Sequence, residues 1–280
     1  MLFTKGHGTG NDFVILPDPD GALELTPHLV AALCDRHRGI GADGVLRVVR
    51  TAKHPDAAGH AAEAEWFMDY WNADGSFAEM CGNGVRVFTR YLVQSGLATP
   101  PADGLPVATR AGVVRAVLDG PTIRVRMPTP RVYAASTATV GALTVPGVAV
   151  DCGNPHLVCG LPDGVALDTL DLLHQPGFDA GVFPDGVNVE FVTPGVPVAG
   201  ADLHVHMRVY ERGSAETLSC GSGALAVGAV ALRDAGLAAG AVAVDVLGGR
   251  LTVTRQDDEW RLAGPAVLVA SGEIDVAALS

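Results

Sequence analysis

The tetrapeptide pattern Cys-Gly-x-Gly occurs twice, as Cys81-Gly82-Asn83-Gly84 and Cys220-Gly221-Ser222-Gly223. Each copy follows a glutamate, Glu79 or Glu216, and each precedes a run of helical character. The first run, Val85 to Gly96, places Val85, Phe88 and Leu92 on one face, with Gly96 positioned to end it. The second, Ala224 to Leu232, is apolar on every side until Arg233 and Asp234, with Gly236 as its stop. A helix that is apolar all round belongs inside a core. The two cysteines are 139 positions apart in a chain of 280 residues, the spacing that a duplicated domain produces. Two related domains are expected, each built around one helix. Coincidence between two glycine-rich helix starts is the competing account, since a tetrapeptide match is a weak signal taken alone.

Most of the remaining chain reads as strand and turn. Phe13-Val14-Ile15-Leu16, Val45-Leu46-Arg47-Val48-Val49 and Ile123-Arg124-Val125-Arg126-Met127 are short runs rich in β-branched residues. Pro- and Gly-rich joints at 99–106, 128–130 and 194–200 separate such runs, and the expected class is α+β. Hydrophobic residues at 48% against 18% charged allow a substantial core and argue against disorder. The 31 acidic and 19 basic side chains leave a net charge of −12, which repels phosphate backbones and anionic lipid, so neither nucleic acid nor membrane is an expected partner. The N-terminal residues carry no basic start followed by an apolar run, and no stretch approaches the roughly 20 apolar residues of a membrane span, so a cytoplasmic location is expected. The five cysteines form an odd set without C-x-x-C spacing, which suits neither a disulfide framework nor a zinc site. Thiols and no metal are expected, with Cys34, Cys152 and Cys159 as small buried hydrophobes.

A thiol at a helix N-terminus lies beside unpaired backbone N–H groups and the positive end of the helix dipole. That environment is expected to lower its pKa from the ordinary value near ~8.5. Glycines in the first turn leave backbone N–H groups open to a carboxylate. Two such sites, one per domain, suit inversion of a carbon centre: a thiolate removes a proton from one face and a thiol returns one to the other. Helix N-termini directed at one α-carboxylate stabilise the charge that develops as the α-proton leaves. No cofactor is needed for this chemistry.

Six motifs in order carry a resemblance. They are Lys5-Gly6-His7-Gly8-Thr9-Gly10-Asn11-Asp12-Phe13, Arg38-Gly39-Ile40-Gly41-Ala42-Asp43-Gly44, Asn72-Ala73-Asp74-Gly75-Ser76 leading to Glu79-Met80-Cys81-Gly82-Asn83-Gly84, Gly153-Asn154-Pro155-His156, Val187-Asn188, and Tyr210-Glu211-Arg212-Gly213 leading to Cys220-Gly221-Ser222-Gly223. Over nearly its whole length the chain resembles the diaminopimelate epimerases, cofactor-independent enzymes that interconvert LL- and meso-diaminopimelate in lysine and peptidoglycan precursor synthesis. The resemblance implies two pseudo-symmetric domains, each a mixed or antiparallel β-sheet wrapped around a central helix. It places residues 1–125, with 265–280 returning to them, in the domain of Cys81, and 126–264 in that of Cys220. It implies Cys81 and Cys220 as the acid/base pair, and Asn11, Asn72, Asn154, Asn188, Glu211 and Arg212 as side chains that hold the substrate. Gly82, Asn83, Gly221 and Ser222 then supply first-turn groups for the reacting carboxylate, with His156 and Glu211 near the thiols. A small-molecule substrate and a homodimer are also implied.

Asn11 and Asn72 have a second account as turn-formers beside glycine, and His156 as a cap on a local turn. Where many relatives carry glutamine, this chain has Gly44, so any contact there must be made by backbone. A proline or hydroxyproline racemase is the nearest rival, but its members carry histidine where this chain has Asn83 and proline where it has Ser219. A non-catalytic binding module built on the same cleft is the other alternative, and the presence of both thiols speaks against it.

Overall fold

The computed structural model describes residues 1–279. In chain order the elements are β1 (Leu2–Gly8), β2 (Asn11–Pro17), α1 (Pro27–Cys34), β3 (Gly44–Arg50), β4 (Trp66–Asn72), α2 (Gly82–Gln94), β5 (Leu105–Thr109), β6 (Gly112–Asp119) and β7 (Thr122–Met127). There follow β8 (Arg131–Val140), β9 (Leu143–Asp151), β10 (Pro155–Gly160), β11 (Gly177–Phe178), β12 (Asn188–Pro194), β13 (Leu203–Glu211) and β14 (Ala215–Thr217). The last are α3 (Gly221–Asp234), β15 (Gly240–Val246), β16 (Gly249–Gln256), β17 (Glu259–Pro265) and β18 (Val267–Glu273). They form two compact units, Met1–Val125 together with the segment from Pro265 onward, and Arg126–Gly264.

In the first unit the strand order is β18-β1-β2-β3-β4-β5-β6-β7. Successive pairs are antiparallel, antiparallel, parallel, antiparallel, parallel, antiparallel and antiparallel. In the second unit the order β8-β9-β10-β12-β13-β15-β16-β17 repeats that series pair for pair. The short strands β11 and β14 add to β8 and β13. Parallel neighbours cannot be joined by a tight turn, and in each unit a helix supplies the crossover: α2 between β4 and β5, α3 between β13 and β15. The doubled α+β architecture expected from the repeated Cys-Gly-x-Gly is therefore present at the level of strand pairing.

The two helices also begin and end alike. Cys81 and Cys220 are extended N-caps whose sulfurs accept the N–H of Gly84 and Gly223, at 3.4 and 3.3 Å. At the other end Gly96 N–H bonds Val93 O and Leu97 N–H bonds Leu92 O; Gly236 to Arg233 and Leu237 to Leu232 repeat the arrangement. This is the Schellman closure, and it sets Gly96 and Gly236 at φ +73° and +70°.

Strands surround each helix, since α2 packs against β1, β2, β3, β4, β5, β6 and β18, and α3 against β9, β10, β12, β13, β15 and β16. The sequence pattern predicts a one-sided apolar face on α2, but ten of its thirteen residues are buried, Asn83, Arg86 and Thr89 among them. The sheet encloses the helix rather than packing on one side of it. α3, apolar all round, is buried as its composition predicts. No helix among the described residues is long and apolar enough to cross a membrane.

Candidate active site

In the first unit, chemistry gathers at the start of α2. The side chain of Cys81 donates to Asn11 Oδ1 at 3.6 Å, and its sulfur accepts the Gly84 N–H. The thiol therefore has one bond suited to its protonated form and one suited to its thiolate. Asn11 opens β2, and its Nδ2 donates to Asp43 Oδ2 at 2.8 Å. Because a carboxylate only accepts, that bond turns the Asn11 oxygen toward Cys81. Asn83 Nδ2 donates to the same Asn11 oxygen at 3.3 Å, and Arg86 Nη2 donates to Asn83 Oδ1 at 2.9 Å.

Asp43 is itself fixed. It accepts the Asp12 N–H and pairs with Arg36 at 2.8 Å, and its backbone oxygen accepts the N–H of Ala73. Burial raises its pKa. At Asp12 burial also raises the pKa, but bonds from Arg36 and Lys5 outweigh it and hold the carboxyl at about 2. Asn72, at the end of β4, donates to Ser76 Oγ at 3.0 Å, and Gly75 N–H closes the turn onto its carbonyl. Thus Asn11 and Asn72 both stand on Asp43, one through its side chain and the other through its neighbour Ala73.

The second unit assembles a denser group beside α3. His156 on β10 is fully buried; its Nδ1 lies 2.6 Å from Glu190 Oε1 and its Nε2 3.0 Å from Asn154 Oδ1. In parallel register His156 faces Asn188 on β12. Asn188 donates to Pro155 O at 3.1 Å and accepts the Arg212 N–H at 2.9 Å. Glu211 accepts from Thr217 Oγ1 at 2.5 Å, and the Arg212 guanidinium donates to Asp185 O. Ser222 Oγ lies 3.6 Å from the Cys220 sulfur. A side chain at Gly223 would stand 2.6 Å from Glu190 Oε1 and 3.3 Å from Cys220 Sγ, so only glycine lets the buried carboxylate approach the first turn.

Cys220 departs from the expectation of an acidified thiol. Burial, followed by the negative charges of Glu211 and Glu190, pushes its pKa well up, and the bonds from Ser222 and Gly223 do not offset them. The first-turn N–H of Gly223 acts in the expected direction but is the weaker effect, because the thiol is enclosed next to two carboxylates.

Comparison with known proteins decides what these two helix starts belong to. Residues 3–132 and 148–274 match the family model described as diaminopimelate epimerase. Proteins named diaminopimelate epimerase from Streptomyces coelicolor, Rhodococcus erythropolis and Thermobifida fusca are 52%, 50% and 50% identical to this chain. The alignments cover 99%, 98% and 100% of it, and 96%, 96% and 100% of those proteins.

The chain belongs to the diaminopimelate epimerase family.

Solved structures share its fold at low identity. A PhzF-family phenazine biosynthesis protein from Bacillus anthracis matches with a TM-score of 0.70 at 17% identity, over 98% of both chains. A hydroxyproline epimerase from Agrobacterium vitis matches with a TM-score of 0.66 at 16% identity, over 97% of this chain and 91% of its own.

Several positions in this member of the diaminopimelate epimerase family are explained by its structure. Gly44 opens β3 opposite Asn72. A Cβ there would lie 2.5 Å from Trp71 O and 2.8 Å from the Tyr70 ring, so no side chain fits without movement of backbone. Cys34, Cys152 and Cys159 are buried, and burial pushes the pKa of each upward, to about 12 at Cys34 and Cys159. Among the described residues His204, His206 and Asp245 bring ligand-type atoms within 4.8 Å of one another. Arg250, however, holds both oxygens of Asp245, at 2.5 and 2.8 Å, and reaches to 3.5 Å from His204 Nε2. A fixed cation closes that cluster.

Asp43, Arg86, Glu190 and Thr217 stand in the two groups although the sequence did not single them out. Glu190 carried a usable signal: β12 reads Asn-Val-Glu-Phe-Val, and an acid between Val189 and Phe191 in a buried parallel strand needs a partner.

Proposed function

We propose that this protein epimerises LL-diaminopimelate to meso-diaminopimelate, without a cofactor, using Cys81 and Cys220 as proton carriers. The observation that carries the reading is full-length identity of about half the residues to proteins named diaminopimelate epimerase. Cysteine N-caps on both central helices support the mechanism.

In the proposed reaction one sulfur, as thiolate, takes the α-proton. The C–H electron pair stays on the substrate and spreads into the α-carboxylate as an ene-diolate. The other sulfur, as thiol, delivers its proton to the opposite face, and nothing is oxidised or reduced. First-turn N–H groups of an α-helix have no intrahelical acceptor. Those of Gly82, Asn83, Gly221 and Ser222 are assigned to the reacting carboxylate, where their value rises as charge develops. Asn11, Asn72, Asn154, Asn188, Glu211 and Arg212 are assigned to the ammonium and carboxylate groups of the substrate, and His156 supports Cys220 through Glu190. The raised pKa of Cys220 suits it to start as the acid, with Cys81 as the base. A homodimer in the cytoplasm is part of the same reading and is tested by sedimentation and cell fractionation.

The deciding experiment incubates the enzyme in heavy water with LL-diaminopimelate and, in parallel, with L-proline. Deuterium at the α-carbon of diaminopimelate alone, persisting after exhaustive dialysis against a chelator, supports the assignment. Deuterium entering only proline, or activity that returns only with added metal, overturns it.

A further inference from the structure

Arg86 takes no part in the reaction just described, yet its side chain is fully buried one turn into α2. Its donors all reach neutral acceptors: Thr9 Oγ1 at 3.2 Å, Asn83 Oδ1 at 2.9 Å, and the carbonyls of Gly82 and Pro265, each at 3.4 Å. The other buried arginine of the first unit, Arg47, pairs with Asp18 and Asp69. Among the described residues Arg86 has no such ion pair. A guanidinium enclosed in this way is disfavoured unless some negative charge offsets it. Burial lowers its pKa to about 10, and the one charge that acts against this is that of Cys81.

We propose that Arg86 is a positioning residue for the Cys81 half of the reaction: its buried positive charge favours the thiolate of Cys81, and its bond to Asn83 aligns the Asn11 amide, whose oxygen accepts the thiol hydrogen bond. The alignment follows from donor and acceptor chemistry. Arg86 can only donate, so it claims Asn83 Oδ1 and turns Asn83 Nδ2 toward Asn11 Oδ1, the acceptor that faces Cys81.

Glu79, two residues before Cys81, is exposed, and the other charged groups of the unit near this point have partners. Asp43 lies behind Asn11 and is paired with Arg36; Asp12 is held by Lys5 and Arg36. His7 Nδ1 accepts the Gly10 N–H, and Arg90, the next cation on α2, is bound to Gly120 O. Arg86 is the fully buried cation of this helix, and the partners of its guanidinium are all neutral.

The inference rests on Cys81 being a proton carrier, but its test needs no substrate. Iodoacetamide alkylation is followed against pH in the free enzyme, with Cys81 and Cys220 read separately by peptide mass mapping. In the wild type the Cys81 midpoint is expected below that of Cys220. Arg86→Gln is expected to raise the Cys81 midpoint by about one pH unit, a roughly tenfold slower alkylation at neutral pH, with Cys220 unmoved. Arg86→Lys keeps the charge and is expected to restore most of the wild-type profile. Arg86→Met is the second neutral variant, since an apolar chain of similar length commonly replaces a buried ion without unfolding. An unmoved Cys81 midpoint in a folded neutral variant, or a wild-type Cys220 midpoint at or below that of Cys81, overturns the proposal. Failure of the epimerase reading shows elsewhere, as absence of deuterium uptake by the wild-type enzyme.

Discussion

Each proposed proton carrier depends on a particular local balance, and single substitutions disturb it in different ways. Cys81→Ala and Cys220→Ala are expected to fold and to lose epimerisation, because each removes the donor or acceptor for one face of the substrate. Cys34→Ala and Cys159→Ala are expected to stay active while losing roughly 1–2 kcal/mol of stability from lost packing, read from chemical denaturation. Retained epimerisation in Cys81→Ala or Cys220→Ala defeats the two-thiol mechanism. Asp12 supplies a test in pH. Its folded pKa of about 2 lies below the ordinary 3.8, so it stabilises the native state above about pH 4 and ceases to do so as pH falls through 2. Asp12→Asn is accordingly expected to flatten the fall in Tm between pH 4 and 2. The cysteines and asparagines of the site were legible because they stand in short glycine-rich strings that carry the family resemblance. Arg86 was not: a charge in a helix pattern reads as solvent-facing, and only the enclosing sheet shows that it faces inward.

At the scale of elements, the cysteine caps and glycine stops placed α2 and α3 in the sequence, to within a turn at the start of each. Their shared function as crossovers was not legible, because the parallel pairings β4–β5 and β13–β15 join segments that local pattern cannot connect. The stops themselves are testable. Gly96 and Gly236 are left-handed, and neither would bring an added Cβ within 4 Å of a neighbour. The cost of Gly96→Ala is therefore conformational alone, roughly 1–2 kcal/mol. Gly96→Asn is expected to cost less, since asparagine tolerates that region. Thermal melts followed by circular dichroism separate these cases, and equal Tm values for the alanine and wild-type proteins contradict the capping account.

For the molecule as a whole, the two units differ in how the chain supplies their first strand. The second takes all its strands from one continuous stretch, Arg126–Gly264. The first takes β18, which pairs with β1 from Leu2 to His7, from beyond the second unit. A fragment of residues 126–264 is expected to melt cooperatively by itself, whereas 1–125 is not unless 265–280 is added. Amide exchange on the separate fragments checks this, and a stably protected 1–125 fragment contradicts it. Neither origin of β18 nor the acceptor that Pro265 offers Arg86 was visible in local pattern, since both depend on contacts across most of the chain. The arrangement also sets an order of events on the ribosome. Residues 126–264 have all emerged, and have their full set of pairings available, while the segment carrying Cys81 still lacks an edge strand and a guanidinium acceptor. The half of the protein that is synthesised first is the half that is completed last.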